Sequence, residues 1–190
     1  MSSPDGGHAP STVADTGRRA MVLESAMATF ARFGYRKTTM EEVARAARIS
    51  RPGLYFLFSS KEALFRAAVT QALERDITAV ERVLADRGRP LAERLVEAFD
   101  QWAGRYIGPL ARDVTTVVED NPGVLGEVVE TAPRRFEELI TEALSAESGR
   151  EGALPLAQTM ISTSIGLKHQ AASREFYLER MTTAVGLLLH

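Results

Sequence analysis

The sequence predicts an all-α fold, and two observations carry that expectation. Apolar residues recur at steps of three and four along most of the chain, while two-residue alternation never persists; this is the helical period. Just ahead of the apolar stripes stand capping signals, Thr38-Thr39 before Glu41-Glu42 and Ser59-Ser60 before Glu62, the pattern that opens helices.

Taken in order, Val22, Ala26, Phe30 and Phe33 form one stripe of a first helix, ended by Gly34 as a left-handed cap residue. A basic connector, Tyr35-Arg36-Lys37, leads to a second short helix capped by Thr38 or Thr39 and running through Ala47. Arg48-Ile49-Ser50 is a tight connection. Ser50 caps a third short helix, with Pro52 just inside its start where the missing N–H costs nothing, to about Phe58. Phe65, Val69, Leu73, Ile77, Val80 and Leu84 then mark one long connecting helix. Arg87-Gly88-Arg89-Pro90 breaks it, and Leu91, Leu95, Phe99, Trp102 and Tyr106 mark a fifth helix ending before Gly108-Pro109. A sixth is expected over Leu110 to Glu119. After the turn Asn121-Pro122-Gly123, the stripe Leu125, Val128, Ala132, Phe136, Leu139 and Ala143 is interrupted by Pro133, which should bend it. Ser145 to Gly152 reads as a polar loop, and two helices close the chain, about Leu154 to Ala171 and Arg174 to Leu189. No internal repeat is visible.

Composition narrows the function classes. With 190 residues, 45% hydrophobic and 25% charged, the chain can bury about 70% of its surface, enough for a core without disulfides. It has no cysteine, which excludes disulfide frameworks, thiolate zinc sites, iron–sulfur ligation and thiol nucleophiles together. Nowhere do 18 uncharged apolar residues run together, so no membrane span is expected. The stretch 1–16 has neither a basic start nor an apolar run, and reads as an uncleaved disordered tail on a cytoplasmic protein.

The net charge of −2 hides a strong asymmetry. From Thr16 to Arg66 there are ten basic residues against four acidic ones, a local charge of +6, whereas the rest carries 13 basic and 21 acidic residues, or −8. A basic first quarter on an acidic body fits a segment that faces phosphates. A solvated basic surface would look the same on charge alone.

Residues 40–57 decide between them. Val43, Ala47, Ile49, Leu54 and Leu57 can face one core, and Ala44 lets two steeply crossing helices approach closely. A helix-turn-helix needs this arrangement, because its second helix projects into a groove while its inner face stays buried. The outward face of that helix would carry Arg51, a forked donor for guanine edges or phosphate, Gly53, which permits close backbone approach, and Tyr55, whose hydroxyl can meet a phosphate. Lys61 adds positive charge at the start of the next helix, and Thr38 and Thr39 can supply further phosphate contacts. Lys37 and Arg48 complete the set of candidate contacts.

This block resembles the TetR/AcrR family of bacterial transcriptional regulators. The likeness runs over residues 18–66, through Phe30-Ala31-Arg32-Phe33-Gly34-Tyr35, Thr38-Thr39-Met40-Glu41-Glu42-Val43-Ala44, Ile49-Ser50, Gly53-Leu54-Tyr55, Phe58 and Ser60-Lys61-Glu62-Ala63-Leu64. The resemblance implies a three-helix helix-turn-helix DNA-binding domain over 17–63 and a six-helix effector-binding and dimerisation domain over 64–190. It implies that Arg51, Pro52, Gly53 and Tyr55 lie on the DNA-contacting face, with Thr39, Tyr55 and Lys61 on phosphates. One departure stands out. Many members have glycine where this chain has Arg48, so a positive φ there would make the turn less relaxed, or the arginine gains a phosphate contact.

In the body, Phe99, Trp102 and Tyr106 are the first candidates for lining an effector pocket, with Phe136 and Met160 behind them; each is also a natural core residue. Thr131-Ala132-Pro133 and Gly166-Leu167-Lys168-His169, Phe176 and Met181 look like the AcrR-type branch. His8, His169 and His190 have no partner at metal-ligand spacing, and no cofactor is expected. Ser162, Ser164 and Gly166 permit close helix packing, and Leu187-Leu188-Leu189 calls for a second subunit as cover, so a homodimer through the last two helices is expected. The expected function is a ligand-responsive regulator, more often a repressor, that binds a palindromic operator as that homodimer and responds to a small-molecule effector. The alternative is a helical small-molecule carrier or enzyme without a DNA role. No nucleophile with its base, metal cluster or acid pair speaks for an enzyme.

Overall fold

The computed structural model describes residues 12–107, 120–148 and 151–189, and among these the regular structure is helical. The helices are α1 (Thr12–Phe33), α2 (Met40–Ala46), α3 (Arg51–Leu57), α4 (Lys61–Ala85), α5 (Leu91–Trp102), α6 (Pro122–Leu125), α7 (Val128–Ser148), α8 (Ala153–Gln170) and α9 (Arg174–Leu188). A 3-10 turn, Gly104–Tyr106, follows α5. The helix expected over Leu110 to Glu119, and His8 and His190, lie outside the described residues.

The caps explain the starts. Thr39 and Glu42 form a reciprocal capping box at α2, Ser50 accepts from the Gly53 N–H at α3, Ser60 from the Ala63 N–H at α4, and Ser173 from the Phe176 N–H at α9. Gly34 takes φ +79° just past α1, the left-handed conformation that stops a helix at no steric cost.

Two apolar cores result. The head core joins Val22, Ala26 and Phe30 of α1 to Val43 and Ala44 of α2, Leu54 of α3 and Leu64, Phe65, Ala68 and Val69 of α4. Phe30 and Phe65 meet edge to face at 5.0 Å, and Tyr35 closes the aromatic cluster 4.7 Å from Phe65. The body core joins Val80 and Leu84 of α4 to Leu95 and Phe99 of α5, Phe136 and Ile140 of α7, Met160 of α8 and Tyr177, Met181 and Val185 of α9. The two meet along α4, which packs on α1 at one end and on α5 and α7 at the other.

Several expectations need correction. The tail expected over 1–16 gives way to helix from Thr12. Phe33 leaves the stripe and is exposed, because the chain turns at Gly34 before α2 can cover it. The boundary expected at residue 63 falls inside the head core, since Leu64, Phe65, Ala68 and Val69 are buried with α1–α3, and Leu125 of α6 joins them. Tyr106 belongs to the 3-10 turn rather than to α5. The stripe from Leu125 is split by Gly126 at φ +68°, so Pro133 lies in the second turn of α7. Residues 145–148, expected in a loop, extend α7. Among the described residues no helix is long and apolar enough to cross a membrane.

Candidate nucleic-acid interface

The second and third helices are joined by a turn whose hydrogen bonds force its geometry. The Ile49 N–H donates to Ala44 O at 3.0 Å and the Arg48 N–H to Arg45 O at 3.2 Å, a Schellman motif with Arg48 at the left-handed position, φ +54°. Among the described residues Arg48 is the one non-glycine with positive φ. The expectation of a less relaxed turn at this site therefore holds, and the side chain stands exposed beside it.

α3 is held from both ends. Ser50 Oγ accepts from the Gly53 N–H at 3.1 Å, and a Cβ at Gly53 would lie only 3.0 Å from that same oxygen, so glycine keeps the cap intact. At the C-terminus, Arg19 of α1 donates to Leu57 O at 3.2 Å and lays its guanidinium 4.3 Å from the Phe58 ring centroid. Arg19 positions the helix, a role sequence spacing does not reveal because 38 residues separate the partners. Leu54 is fully buried underneath.

The outward side carries Arg51, Pro52, Tyr55 and Phe56, all exposed. Arg51 and Tyr55, one turn apart, associate with the guanidinium 5.7 Å from the ring centroid. Gly53 is half-buried on the flank. Phe56, 88% exposed, was not among the sequence candidates; counting 100° per residue from buried Leu54 puts it about 200° away, opposite the core.

Not every candidate is available to a ligand. Lys37 is exposed. Thr38 is a correction: it is 1% exposed and its hydroxyl donates to Gly34 O at 2.8 Å, which ties the end of α1 to the start of α2. Thr39 is exposed, its hydroxyl engaged with Glu42 Oε2 at 2.8 Å as the α2 cap. The Thr39 N–H, which donates to the same carboxylate oxygen at 2.7 Å, and then the hydroxyl hold the Glu42 carboxyl below the usual carboxylate range. Lys61 also departs from expectation. Its ammonium donates to Tyr35 O at 3.2 Å and Thr38 O at 3.3 Å and sits 4.6 Å from the Tyr35 ring centroid, so it braces the α1–α2 connector. Tyr35 in turn donates to Glu62 at 3.2 Å; burial and that carboxylate push its phenol up to about 12.

The body candidates fall into two groups. Phe99, Trp102 and Phe136 form one aromatic cluster, Trp102 stacked on Phe136 at 4.9 Å and Phe99 edge-on to it at 5.2 Å. Phe99, Phe136 and Met160 are fully buried in the core, which corrects their assignment as an open lining in this state. Tyr106 does face a space, a groove of about 370 Å³ between α1 and α4 lined also by Leu23, Met27, Gln71 and Arg75. Its hydroxyl donates to the buried Asp76 of α4, which Arg105 approaches at 3.1 Å and Arg75 at 3.6 Å. Burial raises the Asp76 carboxyl above its ordinary range against these partners and lifts Tyr106 to about 12. Deeper in the body, Tyr177 OH pairs with Ser164 Oγ at 2.7 Å, and Arg174 grips Asp100. Ser164 is thus buried in the subunit core and not free to pack across a dimer. Among the described residues no three His, Asp or Glu are grouped to hold a metal ion.

Fold and interface together define a two-core helical protein whose basic head presents a helix-turn-helix. Residues 22–68 match the family described as bacterial regulatory proteins, tetR family. YfiR of Bacillus subtilis, named as an uncharacterized HTH-type transcriptional regulator, is 30% identical over 125 residues, 65% of this chain and 51% of the relative. The HTH-type transcriptional regulator RutR of Escherichia coli K12 is 37% identical over 57 residues, 30% of this chain and 27% of the relative. The chain thus spans about half the length of the longer of these matches. Among solved structures, NemR of Escherichia coli in its reduced form superposes with a TM-score of 0.72 at 21% identity, covering 90% of this chain and 96% of that one. Over residues 22–68 the chain is thus similar to the bacterial regulatory proteins of the tetR family, and beyond that segment the likeness to solved structures is one of fold.

Proposed function

We propose that the protein is a ligand-responsive DNA-binding transcriptional regulator that acts as a repressor. It binds a palindromic operator as a homodimer formed through α8 and α9, and a small molecule bound in the body releases it. The observation that supports this reading most is the mounting of α3: Leu54 inside, Arg51, Pro52, Tyr55 and Phe56 outside, both ends fixed by Ser50 and Arg19. Such a helix enters the major groove as a rigid unit, and two related by a dyad meet successive grooves about 34 Å apart. The exposed cations Lys37, Arg45, Arg48 and Arg51 supply the sequence-independent attraction to phosphate. Exposed Leu154, Ile165, Phe176 and Leu187 give α8 and α9 an apolar surface of the kind a partner subunit covers. Trp102, stacked in the aromatic cluster beside α4, is the natural reporter of effector binding.

Fluorescence anisotropy with the DNA upstream of the protein's own coding sequence, against a scrambled duplex of equal length, tests the reading. A regulator binds the first at least about 1,000-fold more tightly at physiological salt, and both affinities fall as salt rises. Equal affinity for the two duplexes, or a monomer by sedimentation at the concentrations used, counts against it.

A further inference from the structure

On the outward side of α3 the position facing most directly away from the core is held by a side chain with no polar atom. Phe56 is 88% exposed, the largest exposure of any large apolar residue described, while Leu54, two positions earlier, is fully buried. Exposed Pro52 precedes it by one turn, so the centre of the outward face is an apolar pair, with the Arg51–Tyr55 pair on one flank and Gly53 on the other. A phenyl ring can neither donate to a phosphate nor accept from a base edge. In the major groove one apolar group is displayed, the C5-methyl of thymine. The net charge of +6 over residues 16–66 draws a duplex rather than an apolar protein partner to this face.

We propose that Phe56 reads thymine: its ring packs on the C5-methyl of a thymine in each half-site and makes that position a determinant of sequence preference. This rests on the DNA-binding function proposed above. The expected contribution is the burial of about one methylene-sized group, roughly fourfold in affinity per methyl, or about 15-fold when both half-sites are changed.

A duplex is first selected from a randomised double-stranded library by the full chain, and its thymines are then replaced by deoxyuridine, one symmetric pair at a time. The substitution removes the methyl and leaves every hydrogen-bonding edge in place. At one pair, wild-type affinity should fall about 15-fold, whereas Phe56→Ala should bind the thymine and uracil duplexes equally. Phe56→Leu, which keeps apolar contact, should retain part of the discrimination. Because the ring lies outside the core, both variants should keep the wild-type melting temperature. If every uracil substitution costs wild type and Phe56→Ala the same, the assignment of Phe56 to thymine is overturned while DNA binding stands. If no duplex can be selected, the DNA-binding function and this inference fall together.

Discussion

Arg48 offers a clean separation of conformational cost from charge. Its φ of +54° is imposed by the two Schellman hydrogen bonds that end α2, and a left-handed conformation costs an L-residue roughly 1–2 kcal/mol. Glycine removes that cost but gives back about 0.4–1 kcal/mol through its freer unfolded chain. Arg48→Gly should therefore be more stable than Arg48→Ala by about 0.5–1 kcal/mol, which for a chain of 190 residues raises the melting temperature by about 1–4 °C. Both variants lose the same cation, so DNA affinity and its salt slope should change equally in the two, by slightly less than one unit of slope if Arg48 meets a phosphate. Thermal unfolding followed by circular dichroism, run beside salt-dependent anisotropy on one duplex, measures both. Identical melting temperatures for the glycine and alanine variants would show that the turn stores no such cost.

Other residues give equally direct tests. Gly104→Ala drives a Cβ into Asp100 Oδ1 and to 3.0 Å from the Tyr177 ring, so it should cost about 2 kcal/mol in urea unfolding; an unshifted midpoint would contradict the packing. The Tyr177 phenol, fully buried, is pushed up to about 12 from 10.0, so the native state keeps a proton that the unfolded chain releases. Stability is complete below pH 10 and is lost as pH rises toward 12, by at most about 2–3 kcal/mol from this group. Tyr106 acts in the same window, and Tyr177→Phe should flatten but not abolish the decline of the urea midpoint between pH 9 and 11.5. Arg51→Ala should weaken DNA binding and also relax base preference, whereas Tyr55→Phe should weaken binding to all duplexes alike. Equal loss on selected and random DNA for both would remove Arg51 from base reading.

Local chemistry made much of this legible in the sequence. The caps at Thr39, Ser50 and Ser60, the stop at Gly34 and the buried position of Leu54 each follow from residues within four positions of one another. What escaped involves partners far apart in the chain. Lys61 resembles a free cation until carbonyls 23 and 26 residues away are found to occupy it. The Asp76–Tyr106 pair joins two elements whose patterns say nothing of each other. Phe56 was within reach: helical angle measured from Leu54 singles it out, whereas attention to polar side chains led to Arg51 and Tyr55. Phe99 and Trp102, close in sequence, both pack on Phe136, but no pattern tells a ring that lines a space from one that fills it.

The long helix α4 takes its first half from one core and its second from the other, and its 25 residues include neither glycine nor proline. A rod about 37 Å long without a weak joint has no place to fold in the middle. Strain introduced at its far end must arrive at its near end as a tilt, undiminished by local bending, and heat must melt both halves of the molecule together, because neither can lose its packing without pulling a shared wall from the other.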